Sequence, residues 1–404
     1  MSVIARHRVG HPAPLIFHLG AAAAGYGQGL MAAPMAGTPQ FPWHPDLPPC
    51  TGSAPPQADV ATEAAHRLTA MLAGIRRWQA HPYRRTLADP PEVMALGSMR
   101  LLDYGQTPGA TAPNGPVVVV VPSLINRAYV LDLTERTSLL RHLAAHGLRP
   151  LLVDWGDPGP AERAFGLEDY LTQRLVPALA LAQGMGGQPP ALLGYCMGGT
   201  LCAVQARRMP AVRALVTIGA PWSFAGGRRM ADSLRAGARA AGPAQIRAMI
   251  RAMAQAFGFV PAAVFQQMFA MIDPLQAAVK FRRFAGLDPD CAEALHFVAL
   301  EDWVADGVAM AGPAAEQLLV DWHLEDALAQ GLWSGNAAGP TPPGLVIAGR
   351  ADRIAPPETA DALVDALPGA RHLTPELGHV GMIVGRHAPA QVWRPTVEFL
   401  RDNA

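Results

Sequence analysis

The sequence predicts an α/β fold, a doubly wound and mostly parallel sheet with an inserted helical cap. Three observations predict it. Val117-Val118-Val119-Val120-Val121 is an unbroken β-branched run closed by Pro122, which fits a strand buried on both faces, as parallel strands are. From Pro116 to Ile218, strand-like and helix-like segments alternate, the pattern of right-handed βαβ units. The alternation breaks at Ser223 and resumes at Gly344, with helical patterning between. The chain therefore divides into an N-terminal extension (1–113), a core built from 114–222 and 340–404, and a cap inserted at 223–339.

Each element has its own local signal. Residues 1–56 are rich in Pro, Gly and Ala, and Gln40 to Pro45 reads as loop. Arg6 and Arg8 precede the apolar Pro14-Leu15-Ile16-Phe17 and Ala21 to Ala24, but His18, Gln28 and several glycines interrupt the stretch. That fits a helix lying on the protein or on a hydrophobic surface better than a secretory leader. Between Ala58 and Ala80, Ala65, Leu68, Met71, Leu72 and Ile75 recur at helical spacing. Pro90-Pro91 and Gly105 bracket a strand over Met99 to Tyr104. After the valine run, Tyr129 to His146 reads as a helix closed by Gly147. Pro150 to Val153 is the next strand and Leu167 to Ala182 the next helix. Ala191-Leu192-Leu193 opens another strand, followed by a helix over Gly199 to Arg208 and a strand over Ala214 to Ile218. In the cap, Met249, Met253, Phe257, Phe265, Met268, Phe269 and Met271 read first as helix core, Met being a common gap-filler. A flexible lining for a greasy substrate is the compatible alternative. Gly344 to Gly349 restores the sheet, and Arg371-His372-Leu373 is the last strand.

Composition excludes several function classes. Half of the 404 residues are hydrophobic, enough for one large core or two ordinary ones. With 32 basic and 32 acidic residues the chain has no net charge, which gives no footprint for nucleic acid or another polyanion. Lys280 is the single lysine, which argues against Schiff-base chemistry. Cys50, Cys196, Cys202 and Cys291 are too few and scattered for a disulfide framework or a metal site. A reducing, cytoplasmic compartment fits them. No apolar run reaches the roughly 18–20 residues of a membrane span. No metal-ligand cluster, phosphate-binding glycine loop or dinucleotide fingerprint is found, so the expected chemistry uses no cofactor.

The most informative segment is Gly194-Tyr195-Cys196-Met197-Gly198-Gly199-Thr200. It follows an apolar strand and opens a helix, which is the nucleophile-elbow pattern G-x-C-x-G with cysteine in the serine position. Glycines flank the nucleophile because the turn is too sharp for neighbouring side chains. A cysteine nucleophile needs a base, a group to orient the base, and oxyanion donors. Asp352 lies in Gly349-Arg350-Ala351-Asp352 just past a strand, and His379 lies in Leu377-Gly378-His379-Val380-Gly381. Their order after Cys196, acid then histidine, is the one such sheets use. The candidate triad is therefore Cys196, His379 and Asp352. The oxyanion donors should be the backbone N–H of Met197, next after the nucleophile, and one from the loop after the valine strand, where Ile125 is the choice. Cys202, on the following helix, reads as core.

These segments resemble the polyhydroxyalkanoate synthases, acyltransferases of the α/β-hydrolase fold with a cysteine nucleophile, and especially their shorter, class III-like members. Pro122-Ser123-Leu124-Ile125-Asn126-Arg127 with Tyr129 to Leu133, Leu151 to Pro158, Leu167 to Tyr170, the elbow, and the segments around Asp352 and His379 carry the likeness. Arg353 departs from it, standing where many synthases have histidine, and so does the cap, in which Trp303 and Trp322 do not match the family's tryptophans. The resemblance implies 3-hydroxyacyl-CoA as substrate, a Cys196-linked acyl-enzyme, and transfer to a hydroxyl. It also implies a homodimer or a partner synthase subunit, and a polyester granule surface as a further partner. Two other readings stay open. A hydrolase would pass the same acyl group to water, as thioesterase, esterase or polyester depolymerase. A non-catalytic protein would keep the fold and bind granules or a synthase.

Overall fold

The computed structural model describes residues 12–36, 54–209, 211–224, 241–333 and 341–403. They cluster in two compact units, Met1–Arg84 with Gln266–Ala305 and Arg85–Phe265 with Asp306–Ala404. The predicted extension and the predicted cap each contribute residues to both. The loop reading of Gln40 to Pro45 and the cysteine Cys50 lie outside the described residues.

The larger unit is built on one eight-stranded sheet. Its strands are β1 (Glu92–Leu96), β2 (Met99–Asp103), β3 (Val117–Val121), β6 (Arg149–Asp154), β7 (Ala191–Tyr195), β8 (Leu215–Ile218), β9 (Gly344–Ile347) and β10 (Arg371–Leu373). They lie in the order β1-β2-β6-β3-β7-β8-β9-β10. Every pairing from β6 to β10 is parallel, and β1 and β2 add an antiparallel edge. All five residues of β3 and all five of β7 are buried, as an unbroken apolar run predicts for central parallel strands. Residues 215–218 and 344–347 pair directly, so the sheet resumes after the inserted segment, as the sequence predicts.

Two local expectations need correction. Strand β1 was not foreseen, although Gly97-Ser98 marks the tight turn to β2 and Gly97 takes a positive φ of 58°. The span Tyr129 to His146 is not one helix. It is a short 3-10 turn (Ala128–Leu131), a hairpin of β4 (Asp132–Thr134) and β5 (Thr137–Ser138), and a helix only over Leu139–Ala145. The reason is Asp132. Its fully buried carboxylate accepts from Arg85 (3.1 Å), Arg141 Nε (2.8 Å) and Tyr104 OH (3.1 Å). A buried charge must keep its partners, and this set forces the chain out of a helix until Ser138 Oγ accepts from Arg141 N–H and caps the new one.

In the segment read as a cap the described residues are mostly helical, over Pro243–Phe257, Ala262–Ile272, Gln276–Ala285, Ala292–Ala305 and Gly312–Glu316. Of the seven Met and Phe residues read as helix core, Phe265 alone is fully buried, and Met249 and Phe257 are exposed. The smaller unit packs α1 (Leu15–Ala32) and α2 (Gln57–Ala80) with the helices Gln276–Ala285 and Ala292–Ala305 around Met71, Ile75, Trp78, Phe281, Phe284 and Val298. Gly74 permits the close crossing there, because a Cβ would overlap the Phe281 carbonyl. Among the described residues no helix is long and apolar enough to cross a membrane.

Candidate active site

Strand order fixes where a site can form. From β3 the chain crosses to β6 on one side, and β7 then pairs on the other. The sheet therefore has a switch point at β3 and β7, and the crevice beyond their carboxyl ends is the place for a ligand. The loop Pro122 to Asn126 leaves β3 there, and Cys196 leaves β7.

Cys196 is the turn between β7 and α3 (Met197–Arg208), with φ 56° and ψ −134°. A non-glycine residue in this region costs of order 1–3 kcal/mol and persists only where its surroundings enforce it. They do so through glycine. A Cβ on Gly194 would overlap Gly199 Cα, and one on Gly198 would overlap the Val121 carbonyl. The elbow motif is thus the packing condition for bringing α3 against β3 and β7. Trp155 Nε1 donates to Pro122 O at 3.0 Å and anchors the neighbouring loop.

The structure brings Asp352 and His379 together. His379 Nδ1 and Asp352 Oδ2 are 2.6 Å apart, and both side chains are buried. The other carboxylate oxygen of Asp352 accepts backbone N–H bonds from Ile354 and Ala355, each 2.8 Å. The acid is held in position and aimed at the ring. Burial alone would lower the imidazole's proton affinity, but the Asp352 and Cys196 charges and their hydrogen bonds outweigh it and push His379 up to about 10. His379 therefore favours its protonated form, held by the Asp352 carboxylate on one side and facing Cys196 on the other. Cys202 is fully buried, and burial raises its thiol well above the ordinary range, so it is inert core.

The two candidate oxyanion donors sit differently. Met197 is the first residue of α3, and a helix leaves its first N–H groups without an intrahelical acceptor. The Ile125 N–H donates to Ser123 Oγ at 3.2 Å.

With this geometry in place, similarity to known proteins acquires meaning. The model of the α/β hydrolase fold family matches residues 116–385. The chain is 31% identical over 278 residues to the poly(3-hydroxyalkanoate) polymerase subunit PhaC of Synechocystis sp., covering 66% of this chain and 72% of that protein. This chain belongs to the PhaC family of the α/β-hydrolase fold. It is also 29% identical to the PhaC of Haloferax mediterranei over 76% of this chain and 62% of the relative. The corresponding figures for the PhaC of Haloarcula marismortui are 27%, 71% and 61%. The chain thus spans about three fifths of the length of these two relatives.

Two neighbours of the candidate PhaC site escaped the sequence reading. Gly219, at φ 59° just after β8, lies so close to His379 that a Cβ would stand 3.0 Å from Cε1 and 3.1 Å from Nδ1. A lone glycine after a strand signals a turn and says nothing about which ring it clears. Tyr195 packs its ring against His379 (centroids 5.2 Å apart) and donates its hydroxyl to the His379 carbonyl at 3.4 Å. Its position inside the elbow motif was the available signal. Burial first, then the Cys196 and Asp352 charges, hold that phenol far above its ordinary range. It stays a neutral donor.

Proposed function

We propose that this chain is a PhaC-type polymerase subunit that takes a 3-hydroxyacyl group from coenzyme A onto Cys196 and passes it to a hydroxyl. The observation carrying this reading is the strained Cys196 elbow beside a 2.6 Å His379–Asp352 pair, in a member of the PhaC family. His379 takes the Cys196 thiol proton, the resulting thiolate attacks the thioester carbonyl, and the tetrahedral oxyanion takes hydrogen bonds from the Met197 and Ile125 N–H groups. Donors of this kind are worth about 3–4 kcal/mol each. The C–S bond to coenzyme A breaks, and His379 gives its proton to the departing thiolate.

Acylation then changes the base. A thioester at Cys196 carries no charge, so one of the contributions that raise His379 disappears. The now neutral imidazole can accept the proton of an incoming 3-hydroxyl, which attacks the acyl-enzyme and restores the Cys196 thiolate. Sulfur suits the exchange because transfer between two thiols is nearly isoenergetic. Within this reading the segment 223–339 acts as the cap.

The test is to incubate purified protein with 3-hydroxybutyryl-CoA, follow thiol release and identify the product. Coenzyme A release with insoluble polyester supports the polymerase, and release with free acid makes the chain a thioesterase. No thiol release and no acyl adduct on Cys196 by mass spectrometry would reject both. Full turnover by Cys196→Ala would reject the nucleophile.

A further inference from the structure

Ile125 is held at both of its peptide groups. Its N–H donates to Ser123 Oγ at 3.2 Å, and its carbonyl accepts from Val308 N–H at 3.1 Å. Next to it, Asn126 forms an antiparallel bridge with Gly307. Arg127 donates from Nε to Asp306 Oδ1 at 3.1 Å and from a terminal nitrogen to Asp157 Oδ1 at 2.6 Å. Tyr129 OH donates to Asp306 Oδ2 at 3.4 Å. The segment 306–310 is fastened on its other side too, where Val260 and Met310 exchange both backbone hydrogen bonds at 2.8 and 3.0 Å. Val308 and Met310 are buried, and the Arg127 side chain is only 10% exposed. Water competes weakly for such bonds.

We propose that residues 306–308 are a clamp that aims the second oxyanion donor, with Asp306 as its anchoring, positioning residue. Asp306 holds Arg127, and Val308 holds the Ile125 carbonyl. The direction of the Ile125 N–H is then set from outside its own loop. Ser123 Oγ is the resting acceptor, releasing the N–H when an oxyanion forms. The clamp rests on the reading of Ile125 as an oxyanion donor, and it ties the catalytic hole to the inserted segment. No loop on β3 alone could supply that coupling.

The test compares wild type, Asp306→Ala and the milder Asp306→Asn in three measurements. These are turnover of 3-hydroxybutyryl-CoA, alkylation of Cys196 by iodoacetamide, and amide hydrogen exchange over residues 122–128. Alkylation needs the thiolate but no oxyanion hole. Losing a whole donor costs about 10²–10³ in kcat, so a misaimed one should cost about tenfold. The expected result for Asp306→Ala is that drop in kcat with KM within about twofold, faster exchange, and unchanged alkylation; Asp306→Asn, keeping an acceptor oxygen, should recover most of the rate. Unchanged exchange, unchanged kcat, or alkylation falling in parallel with kcat would overturn the clamp. If wild type releases no coenzyme A, the polymerase reading falls. The clamp is then decided by the same variants on p-nitrophenyl butyrate, whose hydrolysis needs the same hole.

Discussion

Gly219→Ala isolates how tightly the candidate base is placed. The new Cβ would stand 3.0 Å from His379 Cε1, 3.1 Å from Nδ1 and 3.1 Å from Met382 Cε. Ordinary carbon contacts begin near 3.4 Å, so the ring must give by a few tenths of an ångström. It has little freedom to do so. Tyr195 packs against it and Asp352 holds Nδ1 at 2.6 Å, so any shift bends or stretches a charge-assisted bond. A full 1 Å misplacement of a catalytic group costs about 10²-fold, so a drop of about tenfold in kcat/KM is expected. The positive φ of 59° adds about 1–2 kcal/mol of lost stability for alanine. Gly109→Ala is the control. That glycine has φ 87°, and a Cβ there meets nothing within 4 Å, so the variant bears the backbone strain without touching His379. The assay is acyl transfer from 3-hydroxybutyryl-CoA together with thermal unfolding of both variants. A folded Gly219→Ala enzyme within twofold of wild type would refute the argument that His379 has no room to move.

Asp352→Asn removes the carboxylate that supports the His379 charge and should lower turnover by about 10²-fold or more, read as kcat. The same substitution tests linkage. With His379 raised from 6.5 to about 10, its contribution to stability is complete below pH 6.5 and is lost as the pH climbs through 10. The denaturation midpoint of wild type should therefore fall between pH 7 and pH 10 more steeply than that of Asp352→Asn. Asp132→Ala strands Arg85 and Arg141 around a fully buried site. A loss of about 3–5 kcal/mol is expected in urea unfolding, and a loss under 1 kcal/mol would contradict the buried network. In the smaller unit, Gly74→Ala drives a Cβ into the Phe281 carbonyl. Helix-favouring alanine should then destabilise by about 1–3 kcal/mol, and a gain in unfolding temperature would refute the close crossing.

Much of the fold was legible because its signals are local. The valine run gave β3, since five consecutive β-branched residues fit only a strand buried on both faces. Gly194, Gly198 and Gly199 announced the sharp turn at Cys196, since each sits where a Cβ would strike the backbone or side chain of a packed neighbour. Asp352 and His379 could be nominated from chain order and strand context alone. The hairpin at Asp132 was not legible, because its cause is a charge network assembled from Arg85, Tyr104 and Arg141, residues from separate segments. Local apolar spacing spoke for a helix, and the cost of burying an unpaired carboxylate prevailed. The segment read as a cap misled for a similar reason. Helical spacing assigns Met249 and Phe257 to a buried face, but whether another element covers that face is not written in the spacing.

The sequence by itself determined the α/β class, the strand that carries Cys196, and the candidate acid and base that follow it. Those depend on periodicity, on glycine sterics and on order along the chain. Tertiary structure alone decided that Gly219 and Tyr195 confine the His379 ring, that Asp352 is aimed by two backbone N–H groups, and that Ile125 is held from residues 306–308. Such contacts join residues far apart in the chain. Their distances follow from how the sheet and the inserted segment pack, and no local pattern encodes them.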